Sequence, residues 1–151
     1  MLEVYIDADA CPVKQEVYRV AQRYGLNVTL VANSWMNAPH EQWVRLEVVG
    51  GQLDAADDWI AEHVGDGDIV ITADIPLAGR CLEKGASVLG TTGRPFTEDN
   101  IGDALATREL MSELRDAGTM VGGPPPFSKR DRSRFLQRLD EMIQAVRRRT
   151  G

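Results

Sequence analysis

Four aspartates occupy positions where a carboxylate has few structural duties and a chemical one is at hand. Asp7 and Asp9 follow the apolar run Leu2 to Ile6, Asp74 follows Ile69 to Thr72, and Asp57 lies in the first turn of the helix expected after a third apolar run. In an open α/β sheet, ligands bind beyond the carboxyl ends of the strands, near the point where strand order reverses. If the first and fourth strands are neighbours, three sequence-distant elements bring carboxylates to one rim. Gathered like charges raise one another's pKa unless a cation lies between them. An all-oxygen donor set suits Mg²⁺ or Mn²⁺ rather than zinc. Asp7, Asp9, Asp57 and Asp74 are therefore the candidate metal-holding and catalytic residues.

Structural duties compete with that chemistry. Asp54 stands where a helix N-cap belongs, Asp57 also gains from the dipole of the same helix, and Asp58 points to solvent. Asp7 directly follows Val-Tyr-Ile and has no helix to cap. Cys11 precedes Pro12 at a helix start, where the dipole can lower a thiol pKa, but no Arg or His stands at a spacing that would complete a thiol site, so a small buried residue is the simpler reading. His40 and His63 form no ligand pattern with each other or with Cys11 and Cys81.

The candidate substrate-holding residues are cationic. Arg108 and Arg115 fall on the same helical face as Ile101, Ala104 and Leu105. A guanidinium in such a stripe meets a carboxylate or a bound phosphate, or lays its stem on the core and its head in water. Lys129, Arg130, Arg132 and Arg134 crowd the start of the last helix, and Arg147 to Arg149 end it. They form either a solvated face or a track for a phosphate backbone, with RNA as the candidate partner. No aromatic ladder interleaves them, so a single-strand stacking platform is not indicated.

The elements that must position these groups follow from periodicity. Strands are expected at Leu2 to Ile6, Val28 to Ala32, Val44 to Val49, Ile69 to Thr72 and Ala86 to Leu89. Helices are expected at Pro12 to Tyr24, Asp54 to Val64, Leu77 to Lys84, Ile101 to Ala117 and Lys129 to Arg149. Gly25 and Gly85 act as stops, and Pro12 suits a first helical position. Strands alternating with helices imply an α/β fold: a single doubly wound, mostly parallel five-stranded sheet with C-terminal helices. Ser128 and Asp131 resemble a capping box. Gly122 to Pro126 breaks the chain between the last two helices, leaving one domain over 1–151 with a basic helical part from about residue 101.

Composition bounds the rest. The chain has 151 residues, a net charge of −6 and two cysteines, enough length for a core without disulfide or metal staples. No apolar run approaches the roughly 18 residues of a membrane span. Scarce cysteine and no secretory h-region point to a reducing cytoplasm, without a membrane or a disulfide-linked partner; oligomeric state is left open. Residues 1–107 hold 7 Lys/Arg against 17 Asp/Glu, a balance of −10, whereas residues 108–151 hold 10 against 6, a balance of +4. An acidic body with a basic end leaves a polyanionic partner open where the average disfavours one.

Asp7-Ala-Asp9-Ala-Cys11-Pro12, Thr72-Ala-Asp74-Ile-Pro76-Leu-Ala, Thr97 to Ile101, Arg108 and Gly122-Gly123-Pro124, in that order, resemble the YaiI/YqxD family of bacterial proteins almost end to end. That family is grouped by resemblance with PIN-like domains, mostly metal-dependent ribonucleases on a parallel sheet with acids at the strand ends. The resemblance implies Asp7, Asp57 and Asp74 as the acid cluster, with Asp9 beside them. Two positions depart from pattern. Thr92 stands where the family has an arginine before the glycine at position 93, with Arg94 following, and Asp54 and Asp57 stand where PIN-like proteins carry a glutamate.

Two function classes result: a Mg²⁺- or Mn²⁺-dependent phosphodiesterase acting on RNA, and a non-catalytic nucleic-acid or ribonucleoprotein-binding module. A third, an aspartate-nucleophile phosphatase, takes Asp7 and Asp9 as its first motif, Thr72 as its second and Lys84 as its third, but no acid pair follows Ala86 to Leu89.

Overall fold

The computed structural model describes residues 2–52, 54–118 and 127–150, apart from the side chains of 115, 116 and 150. The strands are β1 (Glu3–Asp7), β2 (Asn27–Ala32), β3 (Val44–Val48), β4 (Ile69–Ile71), β5 (Ser87–Leu89) and β6 (Pro95–Phe96). The helices are α1 (Lys14–Tyr24), α2 (Ala55–His63), α3 (Ile75–Glu83), α4 (Glu98–Asp116) and α5 (Lys129–Thr150), with a single 3₁₀ turn over Ala8–Ala10. The sheet order is β3-β2-β1-β4-β5-β6. All pairings are parallel except β5 with β6.

The five expected strands become six. The sixth is two residues long, pairing Leu89 with Pro95 and Val88 with Phe96, too short to leave a periodic signal. Strand order reverses between β1 and β4, which lie side by side with Tyr5 opposite Val70. This is the adjacency needed to place Asp7 beside the residues that follow β4.

Both faces of the sheet are covered, as parallel strands require. Val4 and Ile6 of β1 turn to one face and pack with Val17, Val20 and Ala21 of α1 and Phe135, Leu139 and Ile143 of α5. Tyr5 turns to the other and packs with Ile60 of α2 and Leu77 and Cys81 of α3. Gly25 ends α1 in the left-handed conformation, φ 67°, its N–H donating to the Ala21 and Gln22 carbonyls. Pro12 lies in the turn ahead of α1, which starts at Lys14 rather than at the proline. Ser128 and Asp131 form the reciprocal capping pair at the start of α5. Both cysteines are free and buried, and among the described residues no helix is long and apolar enough to cross a membrane. The Gly122 to Pro126 break lies outside the described residues.

Candidate functional site

Asp7 ends β1, and Asp74 lies three residues beyond the end of β4, so the two acids stand at the carboxyl edge where strand order reverses. One hydroxyl ties them together. Thr72, 1% exposed, donates from Oγ1 to Asp7 Oδ2 at 2.9 Å and accepts from the Asp74 N–H at 3.0 Å. Each bond uses a separate capacity of that hydroxyl, one as donor and one as acceptor. In the sequence Thr72 has a chemical role only in the phosphatase scheme, besides its place in the family motif; its position one residue past a buried strand, two before an acid, is the signal for the role it has here.

The duties of the aspartates differ from those expected. Asp74 caps α3, its Oδ1 accepting from the Leu77 N–H at 2.9 Å, whereas Asp54 occupies the N-cap position of α2 without making the bond. Asp9 directs both carboxylate oxygens at the Asn33 N–H, 3.2 and 3.0 Å away, and so fastens the turn after β1 to the chain leaving β2. Asp58 is paired with Arg80 at 2.8 Å rather than merely solvated.

The charge of Asp74 acts on both Asp57 and Asp7. Burial, then the charges of Asp74, Asp7 and Asp54, push the Asp57 carboxyl up to about 6, with Arg80 offsetting little of it. The Asp7 carboxyl is also raised, mainly by burial; the Thr72 hydrogen bond opposes this, and the charges of Asp74 and Asp9 add to it. A rim of mutually repelling acids is what the sheet edge was expected to produce. Among the described residues, however, no three His, Cys, Asp or Glu side chains stand where they could hold a metal ion.

Beside Asp74 opens a cleft of about 880 Å³ between the carboxyl ends of β4 and β5 and the inner side of α4. Asp74, Thr92, Arg94, Asn100, Arg108 and Phe127 are among its lining residues. Arg94 reaches it on the turn Gly90 to Arg94, closed by the Gly93 N–H donating to the Gly90 carbonyl and the Gly90 N–H to the Arg94 carbonyl. Gly93 has φ +89°, and a Cβ there would lie 2.9 Å from the backbone of Arg134 and Phe135 in α5. Only glycine satisfies both the left-handed backbone and that approach, so α5 pins the turn that carries Arg94.

The expected cationic residues separate. Arg108 lines the cleft. Arg132 donates to Glu16, which is 7% exposed, at 2.7 Å and to the Pro12 carbonyl at 2.9 Å, and lies 4.9 Å over the Phe127 ring. Lys129 and Arg130 are exposed in the first turn of α5, close in sequence to Phe127. The side chain of Arg115 lies outside the described residues. Arg147 lies 5.3 Å over Tyr24, the last residue of α1, near the amino edge of the sheet where β2 begins. The 22 residues of α5 span about 33 Å, so its basic end is a molecule's width from the acids. Lys84 caps the far end of α3, three residues before β5, and thus belongs to the amino edge, away from Asp7. Burial pushes the Cys11 thiol up, in line with a small packed residue rather than a reactive one.

Residues 5–145 match the family described as "Uncharacterized BCR, YaiI/YqxD family". A UPF0178 protein of Rhodospirillum rubrum is 60% identical over 148 residues, covering 97% of this chain and 99% of that one. Another, from Parvibaculum lavamentivorans, is 59% identical over 149 residues, covering 99% and 98%. No solved structure matches the chain. Matched along nearly its whole length by the family and by these relatives, the chain belongs to the YaiI/YqxD family.

Proposed function

We propose that the protein is a divalent-metal-dependent phosphodiesterase acting on RNA, the activity that the PIN-like resemblance implies. The observation that carries this is the meeting of two features at one edge: Asp74, electrostatically coupled to Asp7 and Asp57, lines the same cleft as Arg94 and Arg108. Guanidinium forks hold phosphate oxygens bidentately, and the carboxylates beside them are hard oxygen donors.

The donors fit Mg²⁺ or Mn²⁺ in kind. Among the described residues no three of them converge, so Asp74, with Asp7 held near it through Thr72, would be the first pair to hold an ion. Bound there, the ion would supply an activated water and offset charge on the phosphodiester. The chain's own residues do the rest. Arg94 and Arg108 bind and orient the phosphate, Thr72 holds Asp7 in place, and Asp9 fixes the loop beside them. Lys129 and Arg130, exposed two and three residues after Phe127, would meet a backbone that runs on from the cleft.

One observation favours a second reading, a non-catalytic RNA-binding module: the same lack of a converged acid triad. A joint assay separates the two. Asp74→Asn keeps the cap of α3, because Asn caps as well as Asp, so any loss of activity is not a folding defect. The phosphodiesterase reading expects wild-type cleavage of RNA with Mg²⁺ or Mn²⁺ and about a hundredfold loss in Asp74→Asn. Salt-sensitive RNA binding without cleavage by the wild type supports the module instead. Absence of binding and of cleavage defeats both.

A further inference from the structure

At the opposite end of the sheet from β6, β3 is an edge strand with one neighbour, β2. The Val28 N–H donates to the Trp43 carbonyl and the Val49 N–H to the Ala32 carbonyl. In a parallel ladder that pattern turns the backbone groups of residues 43, 45, 47 and 49 toward β2 and those of Leu46 and Val48 outward. Edge strands are commonly blunted by proline, lysine or a covering segment. The sequence of β3, Val-Arg-Leu-Glu-Val, has no proline or lysine. Its neighbourhood is apolar as well. Val48 is 48% exposed and Trp35, on the irregular segment joining β2 to β3, is 72% exposed. A groove of about 490 Å³ runs between that segment and the strand, lined by Trp35, Met36, Pro39, Val44 and Leu46 among others.

The charges on this edge are complementary to themselves. Arg45 and Glu47 share one face of β3 and pair with each other. An antiparallel second copy, centred by a two-fold axis on Leu46, sets Arg45 opposite Glu47 of the second copy and Glu47 opposite its Arg45. Val44 then faces Val48, and Leu46 faces Leu46. The outward backbone of Leu46 makes a hydrogen-bonded pair with itself, which leaves Arg45 and Glu47 in the non-hydrogen-bonded positions where opposed side chains come closest. Centring instead on Val44 sets Arg45 against Trp43, and centring on Val48 sets Glu47 against Val49; neither pairs the charges.

We propose that β3 is the interface of a two-fold homodimer, joining two six-stranded sheets into one of twelve strands. A two-fold interface must be self-complementary, and this edge meets that condition in charge, in apolar pairing and in the outward backbone groups of Leu46 and Val48; the Val44 N–H is already held by the Glu41 carbonyl.

Sedimentation over a concentration series tests it. The wild type is expected to sediment at twice the 16.7 kDa chain mass. Arg45→Glu and Glu47→Arg each put like charges opposite one another at two symmetry-related places, so each weakens dimerisation about tenfold or more. Arg45 is largely exposed and Glu47 partly covered, so circular dichroism and the melting temperature of each variant check that the fold is intact, and Arg45→Glu alone carries the test if Glu47→Arg fails to fold. Mixing the two variants restores opposite charges at both places and is expected to regenerate the dimer as a heterodimer; the double exchange in one chain dimerises alone. A monomeric wild type up to its solubility limit overturns the proposal and leaves the edge to a different chain. Variants that stay dimeric, or that fail to associate on mixing, overturn it too.

Discussion

The two C-terminal helices both carry arginines and put them to different work: α5 holds eight Lys/Arg against three Asp/Glu, α4 two Arg against six Asp/Glu. α5 buries Phe135, Leu139, Ile143 and Val146 completely or nearly so. Among the described residues, three of its eight cations hold groups of the protein: Arg132 with Glu16, Arg134 with Asp131 at 3.8 Å, and Arg147 over Tyr24. α4 buries no described residue fully; it packs on α3 and turns Arg108 into the cleft beside Asp74. Positive charge is therefore a poor guide to function by itself. A cation on a helix sunk into the core finds carboxylates and carbonyls to hold, whereas one on a loosely packed helix is left for a ligand. The +4 excess of residues 108–151 is not one phosphate track but a scaffold and a cleft wall.

That contrast breaks most sharply at its two arginines. Arg132→Ala strands the buried Glu16 carboxylate and removes the contact with Phe127, so urea unfolding should show a loss of about 2 kcal/mol, reduced from the fully buried case because Arg132 is half exposed. RNA affinity, measured well below the lowered melting temperature, should stay within about twofold of wild type if Arg132 is scaffold. Arg108→Ala should do the reverse, leaving stability within about 0.5 kcal/mol while RNA affinity falls about tenfold through the lost charge-assisted bonds. Equal effects of both on binding would dissolve the distinction between the helices.

A smaller effect concerns the acids. The Asp57 carboxyl is raised from 3.8 to about 6, so the folded state binds its proton more tightly than the unfolded chain does. The stability this provides is complete below pH 3.8 and is lost as pH rises through about 6. Asp57→Asn removes a neutral-pH cost of about 1 kcal/mol after solvent screening. Its melting temperature should thus exceed wild type by about 3 °C at pH 7.5 and show no such gain near pH 3.5, as scanning calorimetry can check. The smallest effect belongs to the far end of α5. Changing Arg147, Arg148 and Arg149 together to Gln should alter RNA affinity less than Arg108→Ala alone, because about 33 Å is several screening lengths at physiological salt. Fluorescence anisotropy with one labelled RNA would rank the two.

The fold was largely legible because its strands are short apolar runs, α1 and α3 stop at Gly25 and Gly85, and α1 and α5 carry clear apolar stripes. Ile69 to Ile71 and Phe135 to Val146 could hardly be read otherwise. The rim was legible too, since the rule for open sheets needs only the adjacency of β1 and β4 to bring Asp7 near Asp74. What pattern could not supply was the division of labour among similar residues. Asp54 and Asp74 both precede helices, yet only Asp74 caps, because Asp74 has the extended N-cap backbone, φ −82° and ψ 112°, and Asp54 does not. Arg94 is visible in the sequence only as a departure from the family pattern, since its place at the cleft depends on Gly93 pressed against α5, a contact between residues about forty apart in sequence. Arg132 read as a phosphate ligand because its partner, Glu16, is more than a hundred residues away.

The claim that the rim and the cleft form one phosphodiesterase site is tested most directly by steady-state cleavage of RNA in Mn²⁺ by wild type, Asp74→Asn and Arg108→Ala. The account predicts that wild type cleaves, that Asp74→Asn loses kcat with KM little changed, and that Arg108→Ala raises KM. A wild type that cleaves no RNA under these conditions, or an Asp74→Asn variant that cleaves as fast as wild type, would contradict it.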